Sequence, residues 1–133
     1  MYSSAPINQL IKSKVKIENE KSTVNIDVNP DFFHAGQALH GSLYFKALDD
    51  SAFFAVNSIV DDVFVLTTSF TTYLTRPVSK GILRAEGKLV YYNKSQFIAE
   101  SVLYDDQDRE IGRGNGMFVK GKMKLEDVPG YKL

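Results

Sequence analysis

The chain has 133 residues, with 16 basic and 16 acidic side chains for a net charge of zero, 44% hydrophobic residues, and no cysteine. That length fits one domain with its own core, expected to span residues 1–133. The charge balance argues against a nucleic-acid partner, which needs surplus positive charge for phosphate contacts. The missing cysteines exclude disulfides, thiol nucleophiles and thiolate metal sites. No apolar run approaches the ~20 residues of a membrane span, and Met1-Tyr2-Ser3-Ser4-Ala5-Pro6 lacks a basic-then-apolar secretory pattern. A cytoplasmic protein without a membrane partner is expected.

In chain order, residues 6–13 allow one or two helical turns, and residues 14–18 and 23–28 alternate as two short strands around a polar turn. Asn29-Pro30-Asp31 breaks the pattern, and a loop runs from Phe32-Phe33 through Gly36 to His40-Gly41. Residues 42–57 read as the one long helix. On a helical wheel Ser42, Lys46, Asp49, Asp50 and Asn57 gather within about 100°, and almost everything else is apolar. Such a helix must be covered on most sides. Residues 63–74, rich in Val, Phe, Thr and Tyr, predict a strand that Pro77 ends. Residues 81–92, 96–104 and 110–119 predict three more strands joined by short polar turns, followed by a tail over residues 121–133. Short turns imply antiparallel neighbours. The expected fold is α+β: one antiparallel sheet of five to six strands wrapped around one long central helix. One sheet covers one side of that helix, so its other apolar side points to a partner chain.

With two histidines and no cysteine, few catalytic schemes can be built. A zinc site is not expected. Gly112-Arg113-Gly114-Asn115-Gly116 superficially fits a phosphate loop but precedes no helix, so its glycines read as easing a strand or bulge. His34, His40-Gly41 and Asp49-Asp50 remain. The first-turn amides at Gly41 lack intrahelical partners and lie at the positive end of the helix dipole, where they can stabilise an oxyanion. Asp49, eight residues on, has the chemistry of a nucleophile or general base. Asp50 is read as an ion-pair partner of Lys46 on a solvated stripe.

The run His40-Gly41-Ser42-Leu43-Tyr44-Phe45-Lys46-Ala47-Leu48-Asp49, continued by Ala52-Phe53-Phe54-Ala55-Val56-Asn57-Ser58, resembles the hotdog-fold acyl-CoA thioesterases. The branch it resembles is that of the phenylacetic-acid-degradation thioesterase, which has a His-Gly-Gly at the helix start and an acid eight positions after the first of those glycines. Tyr73-Leu74-Thr75-Arg76-Pro77 is similar to that family's aromatic-Leu-Arg-Pro strand end, and Asn93-Lys94 to its Gly-Lys turn. The resemblance covers about residues 30–119. Ser42 stands in place of the second glycine, His34 where relatives often carry Asn, and Gln37 where they often carry Gly.

What the resemblance implies is hydrolysis of an acyl-CoA or acyl-carrier thioester, with no cofactor beyond the CoA of the substrate. The Gly41 amide would polarise the thioester carbonyl, and Asp49 would attack it or activate water. A Ser or Thr on the following strand orients water in that family; Thr67 and Thr68 are the candidates, the alternation Phe64, Leu66, Phe70, Leu74 favours Thr68, and the distance back from Pro77 leaves the choice open. His40 and His34 are expected beside the substrate, and Lys94, among scattered basic residues, near the CoA phosphates. Eight helical residues span about 12 Å, so one carbonyl carbon cannot touch both Gly41 and Asp49 of one chain. If both act together, they come from two copies, which makes a homodimer or homotetramer the expected state.

Two other readings compete. A hotdog dehydratase is prompted by Asn29-Pro30-Asp31-Phe32-Phe33-His34, but its helix acid would fall near Lys46. A non-catalytic acyl-CoA-binding module is prompted by Ser42 and His34.

Overall fold

The computed structural model describes residues 2–131. Pro6 starts a short helix α1 (Pro6–Leu10), where its missing N–H costs nothing. Strands β1 (Ser13–Glu18) and β2 (Lys21–Asp27) follow, then a single 3-10 turn at Pro30–Phe32, the long helix α2 (Gly41–Asn57), and strands β3 (Val63–Leu74), β4 (Ile82–Tyr92), β5 (Phe97–Tyr104) and β6 (Glu110–Lys124). All six strands form one antiparallel sheet in the order β1-β2-β4-β5-β6-β3. This is the expected layout of a sheet curled around one helix. Among the described residues no helix is long and apolar enough to cross a membrane.

The alternation seen in the sequence becomes a buried face. Val24 and Ile26 of β2, Leu83 and Ala85 of β4, Ala99 and Leu103 of β5, and Ile111 and Phe118 of β6 all turn inward against α2. One row of this face is built from small residues: Ser22 pairs with Gly87, Gly87 with Ser101, and Ser101 with Gly114. The helix sits in that row. Ser22 donates to the Ser51 carbonyl at 2.7 Å and Ser101 to the Leu48 carbonyl at 2.9 Å. A Cβ at Gly87 would lie 2.2 Å from the Ser51 oxygen, so only glycine admits this approach. These contacts fix the rotation of α2 about its own axis. With Leu48 and Ser51 against the sheet, Asp49 and Asp50 must leave the helix on its flanks.

Three expectations change. The stretch from Gly121 is not a free tail: β6 continues to Lys124, and Leu125 in the following turn is buried. The cause is the length of β3, whose first residue Val63 pairs with Lys124 and so draws the partner strand past Val119. Residues 132–133 of that expected tail, and Met1, lie outside the described residues. The outer side of α2 is also not left wholly to a partner, because Tyr2 packs edge-on against Phe54 at 5.1 Å between ring centres. The expected solvated Lys46–Asp50 stripe is a half-buried ion pair at 2.7 Å, roofed by the same tyrosine. The glycines of β6, by contrast, serve structure: Cβ atoms at Gly114 and Gly116 would meet the Phe70 ring at 2.5 and 2.4 Å.

Candidate active site

Asp49 leaves α2 toward β3. Its Oδ1 accepts from the Thr67 hydroxyl at 3.0 Å. Both residues line a cavity of about 290 Å³ whose walls include four aromatic rings, Phe53 and Phe54 of α2, Phe64 of β3 and Tyr2. Burial pushes the Asp49 carboxyl up to about 6; the Thr67 hydrogen bond and the Lys46 charge pull it down, and the neighbouring Asp50 charge adds to the rise. Lys46 does not neutralise Asp49 because its ammonium is engaged 2.7 Å from Asp50 Oδ2. The result is a carboxylate with one hydroxyl donor, poised to exchange a proton near neutral pH.

Thr67, rather than Thr68, meets the acid. The register of β3 against β6 shifts between Thr67 and Ser69, and Thr68 donates instead to the Met117 carbonyl of β6 at 3.1 Å. A bulge places two successive residues where alternation counts one, so the pattern that favours Thr68 is out of phase at this point.

Gly41 starts α2. His40 caps the helix: its Nδ1 accepts from the Ser42 amide at 3.1 Å and lies 2.8 Å from Ser42 Oγ. His40 is thus the helix-entry residue expected from the sequence, and His34 lines a cavity with Gly41. That second cavity, about 370 Å³, also includes Leu74, Thr75 and Arg76. A Cβ at Gly41 would sit 2.8 Å from Leu74 Cδ1, the end of a half-exposed side chain that can turn aside. The Tyr44 hydroxyl donates to the Arg76 carbonyl at 2.7 Å, holding the β3–β4 connection over the first turn of α2. Ser42, in place of a second glycine, joins the cap with its hydroxyl. Gln37 adopts φ +66°, a left-handed backbone that glycine occupies more readily. Lys94 is exposed in the β4–β5 turn and lines neither cavity.

Within one chain, then, Gly41 and Asp49 face different cavities at different heights on α2. The structure joins Asp49 to Thr67 and Gly41 to His34, and leaves the two pairs apart. Sequence reasoning does not find Tyr2 or Phe64 as walls of the acid's cavity. Tyr2 carries no local signal, since it precedes the first periodic segment; Phe64 reads only as one member of a strand alternation.

The profile of the thioesterase superfamily matches residues 36–111, more than half of the chain, including Gly41, Asp49 and Thr67. The chain belongs to that superfamily. A candidate esterase of Saccharolobus solfataricus is 24% identical to it over 98 residues, 74% of this chain and 69% of the relative. Among solved structures, the Escherichia coli PaaI protein from the phenylacetic acid degradation operon superposes with a TM-score of 0.85 at 17% identity, over 93% of this chain and 90% of that one. A point mutant of the Thermus thermophilus phenylacetic acid degradation protein PaaI superposes with a TM-score of 0.78 at 16% identity, over 87% of this chain and 99% of that one. These likenesses show the hotdog fold. Membership of the superfamily supports thioester hydrolysis as the general activity of this thioesterase-family chain.

Proposed function

We propose that the protein is a thioesterase of acyl-CoA or acyl-carrier thioesters that works as a homodimer or a homotetramer. The observation that carries this reading is Asp49: a carboxylate raised to about 6 by burial, held by one hydroxyl, on the wall of a cavity lined in part by four aromatic rings. Asp49 takes a proton from water as the water oxygen attacks the thioester carbon, or attacks that carbon itself. The carbonyl oxygen becomes an oxyanion facing the Gly41 amide. The C–S bond then breaks. On the water route the sulfur leaves as the CoA thiol with the proton returned through Asp49. On the direct route it leaves as the thiolate, forming an acyl anhydride with Asp49 that water hydrolyses to the free acid and the regenerated carboxylate, the proton released from water going to the thiolate. Thr67 holds the carboxylate in line, and His34 borders the cavity from which the carbonyl is approached.

A second copy completes the site. Antiparallel helices related by a twofold axis near Phe45, midway between Gly41 and Asp49, set the amide of one protomer beside the acid of its partner, twice over. The surface around that axis is apolar and unpaired in the single chain: Phe45 is 42% exposed, Leu66 48% and Leu74 50%, and β3 is a sheet edge.

Complementation tests this directly. Gly41→Pro removes the N–H while suiting the first helical position, and Asp49→Asn removes the base. Each variant alone should release no thiol from acyl-CoA in a thiol-trapping assay. Mixed and re-equilibrated, they should recover about a quarter of wild-type activity, because half the dimers are mixed and each has one intact site. No recovery from a mixture shown to exchange subunits defeats the shared site. Wild-type protein that binds acyl-CoA without releasing thiol defeats the enzymatic reading.

A further inference from the structure

The segment before α1 does more than finish the fold. Tyr2 lines the Asp49 cavity together with Ala5, Ile7 and Asn8, and residues of α2 and β3 complete the lining. Its ring is held from several sides. The hydroxyl donates to Asp50 Oδ2 at 2.8 Å, the ring meets Phe54 edge-on at 5.1 Å, and Lys46 Nζ stands 5.4 Å from its centre. The Tyr2 carbonyl accepts from Asn8 Nδ2 at 2.7 Å and from the Ala5 amide at 3.2 Å. A side chain pinned at its tip, face and backbone is a firm wall. A wall of that kind discriminates between acyl groups by size, since a longer chain must either displace the ring with all these contacts or stay out.

We propose that Tyr2, anchored on the Lys46–Asp50 ion pair, is the specificity-determining residue that sets the length of acyl group admitted beside Asp49. The inference rests on reading the Asp49 cavity as the acyl site. It gives the Lys46–Asp50 pair a use that neither the attack on the thioester nor the core requires: it ties the beginning of the chain to the turn of α2 that carries the acid. A short acyl group ends below the Tyr2 ring and packs against Phe53, Phe54 and Phe64. Removing the ring takes away that wall and lengthens the cavity, and enlarging it shortens the cavity.

The test measures kcat/KM of the full chain across straight-chain acyl-CoA substrates from acetyl to lauroyl, for wild type, Tyr2→Ala and Tyr2→Trp. Wild type should show a break in the series. Tyr2→Ala should move the break to longer chains, raising the long-to-short ratio about tenfold or more, and Tyr2→Trp should move it to shorter ones. Calorimetric affinities of the matching S-alkyl-CoA thioethers, which cannot be hydrolysed, should follow the same order. Tyr2→Leu replaces Tyr2→Ala if the alanine variant does not fold by circular dichroism. A series without a break, or variants that lower all chain lengths in proportion, overturns the proposal and leaves the thioesterase reading standing. If wild type hydrolyses none of the substrates, the functional reading fails, while the thioether series still decides the role of Tyr2. No hydrolysis together with no thioether binding overturns both.

Discussion

Asp105 and Asp49 are both withdrawn from water, and they are treated in opposite ways. Asp105, in the β5–β6 turn, is 2% exposed. It accepts from the Gln107 amide at 2.9 Å, the Arg109 amide at 2.9 Å and Arg109 Nε at 2.8 Å. Burial alone would raise its carboxyl, but these amides and the guanidinium outweigh it and hold the group below its ordinary value. Asp49 is less buried yet has one hydroxyl donor, and burial wins. The number of donors, more than depth, separates a carboxylate that closes a turn from one left with free lone pairs facing a cavity. A fully satisfied acid contributes stability; an under-satisfied one gives up stability and keeps its reactivity.

The strongest way to break this contrast is to neutralise each acid. Asp49→Asn should lower thioester hydrolysis by roughly 10²–10⁴-fold, read by thiol release. The same variant should be more stable than wild type at pH 7, by roughly 1–3 kcal/mol. The sign follows from the raised native value: the folded state holds the Asp49 proton more tightly than the unfolded chain. Stability is therefore lost as pH climbs from the ordinary carboxylate range to about 6, and stays lost above it. Urea titrations at pH 7 and pH 4 should show the advantage of the Asn variant shrinking at the lower pH. An Asn variant that is less stable at pH 7 would mean that Asp49 is a structural acid like Asp105.

Asp105→Ala should do the reverse. Losing its set of hydrogen bonds should cost roughly 2–4 kcal/mol in denaturant unfolding, while each folded molecule keeps its turnover. A variant that folds well and does not hydrolyse would place Asp105 in the chemistry and erase the distinction between the two acids.

The contrast sharpens at the donor. Wild-type kcat/KM should rise with pH through a midpoint near about 6, as Asp49 ionises. Thr67→Val removes the hydrogen bond that pulls this value down, so the midpoint should move to higher pH and turnover should fall severalfold. Thr68→Val, whose hydroxyl reaches only the Met117 carbonyl, should cost at most about 1 kcal/mol of stability and leave the midpoint in place. Equal shifts in both variants would contradict the bulged register of β3.

Much of the architecture is legible in advance because it depends on short-range pattern. The alternation of β2, β4 and β5, the strand-breaking Pro77, and the apolar sweep of α2 each reflect neighbours along the chain. The polar turn at Asn93-Lys94 and the one at Asp105–Asp108 likewise come from local chemistry. Asp105 is legible only as part of a turn, although an Asp accepting from the amide two residues on, here that of Gln107, is the local signature of a side chain that closes such a turn. The end of β6 is not legible, since its length is set by pairing with β3 some sixty residues earlier. The choice of Thr67 over Thr68 is hidden for a related reason: a bulge breaks the two-residue period without a mark in composition.

By itself, the order of residues determined that a long apolar helix would be wrapped by an antiparallel sheet, and that a glycine amide and a carboxylate would stand about 12 Å apart on that helix, since rise per residue is a property of the backbone alone. What only the tertiary structure decided is which way those groups point. The Ser22-Gly87-Ser101 row takes the Leu48 and Ser51 carbonyls and so rotates α2 until Asp49 meets Thr67 and Asp50 meets Tyr2. That rotation depends on side chains from strands far apart in the chain converging on one turn of helix, and no periodicity within the helix encodes it.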